Sequence, residues 1–171
     1  RLLVATLWSR EEGGRFDGSD GRMREVLSAA LAAGFDLVDV EGARGGGGLL
    51  GLPAERVVVS RHHLDGVGED PVAEAEALGR TGARYVKLVG TPRTFGDALS
   101  LLEAQRRLAD GTTALFGMGE LGLATRVLSP SQLSGNAAPK NPGNVPHSVS
   151  ETRRNGPPLT GFVVRFWRMK A

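Results

Sequence analysis

Lys87 is the only lysine before residue 129, where every other basic side chain is arginine. It lies inside an apolar run, Tyr85-Val86-Lys87-Leu88-Val89. An apolar setting disfavours an ammonium and so favours a neutral amine, which can attack a carbonyl carbon. A guanidinium never deprotonates and has no such use. A strand-end lysine that snorkels or forms an ion pair is the plainer use of the same residue. His62 follows Val57-Val58-Val59-Ser60-Arg61 and suits proton transfer near neutral pH. The adjacent His63 raises the question of a metal. Neighbouring residues on a strand point to opposite faces, however, and the chain has no His-Glu-x-x-His pattern or third ligand, so no metal site is expected. Gly117-Met118-Gly119-Glu120-Leu121-Gly122 fits a dinucleotide-loop pattern, but no acid follows until Glu151. A tight turn is the better use of those glycines.

These residues need a scaffold, and the apolar pattern supplies one. It predicts strands at Leu2–Leu7, Phe35–Val40, Arg56–Ser60, Arg84–Val89 and Thr113–Phe116. Between them, helices are signalled by a Ser19 or Asp20 cap before Met23, Val26, Leu27, Ala30 and Leu31, with a stop at Gly34. Asp70-Pro71 opens a second helix, and Thr94 with Asp97 forms a capping box for a third, running to about Ala109. The Gly45–Gly48 run opposes a helix where one is due, at about 1 kcal/mol per glycine. Strand-then-helix repeats with continuous apolar strands imply a parallel α/β sheet. Such sheets place their chemistry at the carboxyl ends of the strands. Taken in order, those ends carry Trp8-Ser9-Arg10 with Glu12, then Glu41, His62, Lys87 and Met118, with Arg126 on the last connection.

Apolar residues make up 40% of the chain and charged residues 23%, a globular composition with no stretch long enough to span a membrane. The absence of cysteine removes disulfides and thiolate chemistry, and fits a cytoplasmic setting. Charge divides unevenly. Residues 129–171 carry six basic groups against Glu151, whereas residues 1–128 are mildly acidic, so no nucleic-acid surface is expected on the body. Six of the nine prolines and all four asparagines also lie beyond residue 129. The expected domains are therefore an α/β body, 1–128, and an irregular, flexible Pro/Asn-rich basic tail, 129–171.

In order and spacing, five segments of the body resemble type I 3-dehydroquinate dehydratase, the Schiff-base dehydroquinase of the shikimate pathway. They are Glu12-Gly13-Gly14 with Asp17-Gly18, Phe35 through Glu41, Val57 through His62, Gly82 through Lys87, and Met118 through Leu128. The resemblance implies a partial (β/α)₈ TIM barrel, with five parallel strands corresponding to the third through seventh. A whole barrel takes about 250 residues. The chain also opens on Arg1 without a methionine, and both features are expected of a piece of a longer protein.

The resemblance assigns roles to the strand-end residues. Lys87 forms an imine with the C3 ketone of 3-dehydroquinate, and His62 moves the proton from C2 to the departing C1 hydroxyl. Glu12 orients His62, Arg126 clamps the substrate carboxylate, and Met118 and Glu41 complete the substrate-binding set. No metal or organic cofactor is implied. A homodimer or a bifunctional shikimate polypeptide is the expected assembly. Two departures stand out. Thr6-Leu7-Trp8 replaces a Thr-Phe-Arg context, and Arg10, two positions on, would face the same way on an extended strand and partly replace the lost cation. His63 replaces an Asp. The alternative reading is a non-catalytic relative that binds a ligand or partner.

Overall fold

The computed structural model describes residues 2–44 and 48–128, and the backbone of 165–169. Six strands form one sheet in the order β5-β4-β3-β2-β1-β6. These are β1 Leu2–Thr6, β2 Leu37–Glu41, β3 Val57–His62, β4 Tyr85–Gly90, β5 Thr113–Gly117 and β6 Arg165–Met169. The first five run parallel, so the strand-and-helix alternation is realised with boundaries shifted by one or two residues.

Each helix starts where a side chain can accept its free amide groups. Ser19 caps α1, Asp20–Ala32, and Gly34 at φ +97° ends it. Asp70 accepts from the Val72 and Ala73 amides at the head of α2, Pro71–Gly79. Thr94 and Asp97 close the capping box of α3, Phe95–Arg107. The short α4 spans Leu123–Val127. Met23, Val26, Leu27 and Ala30 of α1 and Leu101 and Ala104 of α3 pack on Val38, Val40, Val57, Val59, Val86, Leu88 and Leu115 of the strands. That cluster is the core, on the outer, helix-covered face.

On the other face, Val4, Leu37, Val58 and Tyr85 make a small apolar floor. Two residues further along their strands come Thr6, Asp39, Ser60 and Lys87, all buried on the same face because strand side chains alternate. One sheet therefore has an apolar layer and then a polar layer toward its carboxyl edge. The irregular tail expected from composition lies outside the described residues, with one exception. β6 pairs antiparallel with β1, from Leu2 opposite Met169 to Thr6 opposite Arg165. The composition of residues 129–171 did not suggest it. The glycine run also falls largely outside the described residues.

Candidate active site

Lys87 sits mid-way along β4 and is only 9% exposed. Its Nζ donates to Asp39 Oδ2 on β2 at 2.9 Å. Ser60 Oγ donates to the other carboxylate oxygen at 2.5 Å, and Thr6 Oγ1 to Oδ2 at 3.3 Å. Asp39, 3% exposed, thus gathers donors from β1, β3 and β4. The lysine is ion-paired, as the plainer reading allowed, and the pair is buried on the inner face. The setting is therefore not the apolar one expected from Tyr85-Val86-Lys87-Leu88-Val89: the inner face beside Lys87 carries Asp39, Ser60 and Thr6. The lysine must first give up a proton, for which Asp39 is the adjacent acceptor, before it acts as a nucleophile.

One strand over, His62 Nδ1 lies 2.7 Å from Glu12 Oε2, with both side chains nearly buried. A carboxylate only accepts, so Nδ1 carries the hydrogen and Nε2 is the ring nitrogen able to take a proton. Glu12 reaches this place because residues 8–16 fold back on themselves. Gly14 N donates to Ser9 O at 2.6 Å, and Arg15 N and Phe16 N both donate to Trp8 O. Gly13 turns at φ +92°, and a side chain on Gly14 would overlap the Trp8 backbone. The Trp8 ring packs on His62 with centroids 5.0 Å apart, tilted by 44°. At the end of β2, Glu41 accepts the Ser9 amide at 2.7 Å and faces Arg44 Nε at 3.5 Å. Burial raises its carboxyl above the usual range, and the nearby charge of Glu12 adds to this. Ser9 and Arg44 pull the other way.

Residues 1–143 match the family model for type I 3-dehydroquinase. The chain belongs to the type I 3-dehydroquinase family. A 3-dehydroquinate dehydratase of Methanothrix thermoacetophila is 31% identical over 132 residues, 75% of this chain and 56% of that protein. A chloroplastic bifunctional 3-dehydroquinate dehydratase/shikimate dehydrogenase of Arabidopsis thaliana is 28% identical, over 68% of this chain and 20% of its own length. The crystal structure of 3-dehydroquinate dehydratase from Geobacillus kaustophilus superposes with a TM-score of 0.63 at 26% identity, covering 75% of this chain and 55% of that one. The chain spans a little over half the length of such single-activity relatives. Its five parallel strands are an arc of the family's (β/α)₈ barrel.

Other residues singled out from the sequence lie less centrally. Arg126, on α4, is exposed, and its Nη2 donates to Gly119 O at 3.4 Å. Met118 is half-buried in the turn after β5. That turn is closed by glycine: Gly117 and Gly122 approach so closely that a Cβ on either would overlap the other's backbone. Thr125 Oγ1 locks it, accepting from Gly117 N and donating to Gly122 O, both at 2.7 Å. The turn reading of the glycine pattern therefore holds.

Arg10 departs from expectation. β1 ends at Thr6, so strand alternation does not extend to Arg10. It sits in a turn, exposed, 3.0 Å from Asp17. The two histidines diverge as alternation requires: His63 turns to the helix side and meets Glu74 of α2 at 2.6 Å. Sequence reasoning missed Asp39, Ser60 and Thr6. An acid inside the buried run Leu37-Val38-Asp39-Val40 must find a cation or several donors, and that was the available signal.

Proposed function

We propose that this arc carries the Schiff-base half-site of a 3-dehydroquinate dehydratase, which makes 3-dehydroshikimate and water in the cytoplasmic shikimate route to aromatic amino acids. One observation carries the reading. A buried lysine with a carboxylate to take its proton, and a histidine whose tautomer is set by a buried glutamate, lie on one face of adjacent strands.

In the proposed cycle the Lys87 amine adds to the C3 ketone, and the ketone oxygen leaves as water to give the imine. The imine acidifies the C2 proton. His62 Nε2 removes it, and the electron pair is delocalised as an enamine. As the enamine collapses, the C1 hydroxyl departs as water with the proton held by His62. Hydrolysis of the imine then returns the Lys87 amine and releases the unsaturated ketone. No metal or organic cofactor enters. Arg126, Met118 and Glu41 are the proposed substrate contacts. Arg10 is assigned no contact, because its guanidinium is paired with Asp17. A homodimer or a bifunctional shikimate polypeptide is the proposed assembly.

Turnover of 3-dehydroquinate tests this in the full chain. Lys87→Arg should abolish it, because a guanidinium cannot be the neutral nucleophile. His62→Ala should lower it by about 10²- to 10⁴-fold. Equal activity in wild type and Lys87→Arg would end the reading. The Trp8 ring against His62, where the family resemblance places an arginine, favours a second reading: a ligand-binding relative without turnover. Binding of 3-dehydroquinate with neither turnover nor an imine would select that one.

A further inference from the structure

Arg44 follows β2 and precedes four glycines, a context that marks no function. Its side chain is nevertheless only 14% exposed, and it meets five partners. Nη1 donates to Gly18 O at 3.0 Å and to Asp20 Oδ1 at 3.2 Å. Nη2 donates to Glu11 Oε2 at 2.9 Å, and Nε faces Glu41 Oε2 at 3.5 Å. The guanidinium also lies 5.6 Å above the Phe16 ring. Four of these five partners belong to the connection from β1 into the start of α1, the segment that carries Glu12. The fifth, Glu41, holds the same connection through the Ser9 amide.

The partners flank Glu12 on both sides, Glu11 before it and Phe16, Gly18 and Asp20 after it. The connection's own backbone hydrogen bonds define its shape, and the contacts with Arg44 and Glu41 tie that shape to the end of β2. A hydrogen bond of 2.7 Å between Glu12 and His62 tolerates little displacement of that segment, since ångström-scale misplacement is costly in a site of this kind. The planar fork of an arginine presents five donors in fixed directions, whereas a lysine ammonium offers three from a single point.

We propose that Arg44 is a positioning residue for the Glu12–His62 pair. By clamping the β1–α1 connection on both sides of Glu12, it fixes the carboxylate that keeps the hydrogen on His62 Nδ1 and leaves Nε2 to accept a proton. The proposal rests on the reading of His62 as the proton carrier, but its test needs no substrate.

The measurement is the tautomer of His62 in the ¹⁵N-labelled full chain, read from imidazole nitrogen–proton correlations at a pH where the rings are neutral. The wild type should show the Nδ1–H form. Arg44→Met keeps an apolar stem over Phe16 and removes the fork. It should lower the ratio of Nδ1–H to Nε2–H by about tenfold or more, the effect of losing one charge-assisted hydrogen bond. Arg44→Lys should restore part of it. The His63–Glu74 pair, on the opposite face, should keep its tautomer, because a positioning role disturbs only His62. A folded Arg44→Met chain with an unchanged His62 ratio, or with His63 equally changed, would overturn the proposal. If Arg44→Met does not fold, Glu11→Gln combined with Asp20→Asn decides. That variant leaves Arg44 in place and removes two of its anionic partners. A shift toward Nε2–H supports the clamp, and an unchanged ratio overturns it. Absence of an adduct with 3-dehydroquinate would count against the lysine reading and leave this result intact.

Discussion

Replacing Asp39 by asparagine removes the carboxylate at the centre of the inner face and leaves the Lys87 amine buried without its counter-charge. At an effective dielectric constant near 20, unit charges 2.9 Å apart attract by about 6 kcal/mol. Desolvation of both groups offsets part of this, so breaking one side of such a pair costs about 3–5 kcal/mol. Asparagine retains one acceptor oxygen for Ser60 or Thr6, which places Asp39→Asn toward the lower end of that range. Against a total stability of about 5–15 kcal/mol, that is a large fraction. The companion change is Asp39→Leu with Lys87→Met. It removes both charges and fills the space with apolar atoms, so it should lie within about 2 kcal/mol of wild type or exceed its stability. Urea unfolding followed by tryptophan fluorescence, with all variants in one buffer, gives both numbers, and the single changes Asp39→Leu and Lys87→Met complete the cycle that gives the coupling. Two results would refute the reasoning: a cost below about 1 kcal/mol for Asp39→Asn, or a double variant that loses the sum of the single changes.

Three further outcomes are expected. Glu41 titrates above its ordinary 4.5 because it is buried, so the native state holds its proton more tightly than the unfolded chain does. Its favourable contribution is complete below that value and is lost as pH rises through the raised one. Glu41→Gln should therefore gain stability relative to wild type as urea melts move from pH 4.5 upward, and a relative loss would contradict the burial argument. Gly122→Ala should cost about 1–3 kcal/mol through its overlap with Gly117. Gly21→Ala, on α1 where an added Cβ would make only an ordinary contact with Ser19 Oγ at 3.8 Å, should stabilise by about 0.4–1 kcal/mol; thermal melts of the two decide. Removing residues 129–171 unpairs the edge of β1, so hydrogen exchange of Leu2–Thr6 should accelerate and the chain should associate. Unchanged protection there would mean that β6 does not pair in solution.

What could be read from the sequence was set by short-range physics. Capping chemistry at Ser19, Asp70 and Thr94 marks helix starts through local hydrogen bonds, and the runs Val57-Val58-Val59 and Tyr85 through Val89 are buried on both faces. Alternation alone sends His62 and His63 to different faces. The rest depends on neighbours distant in the chain. Asp39 meets Lys87 across two strand spacings, so its role became visible only with the sheet order known. Arg10 was misplaced because alternation was carried past the end of β1, where the chain turns through Gly13 and Gly14. β6 pairs with a strand some 160 residues earlier, and nothing local announces that partner.

Reductive trapping addresses the lysine itself. With 3-dehydroquinate and borohydride, reduction of the imine should leave a stable secondary amine on Lys87. Trypsin does not cleave after a modified lysine, so the mass increment should appear on the peptide from Tyr85 to Arg93 and be absent from Lys87→Arg. His62→Ala should still be labelled, because imine formation needs the amine and the ketone rather than the proton carrier. No adduct in the 171-residue chain, under conditions that label a full-length relative, would contradict the Schiff-base half-site and favour a ligand-binding role.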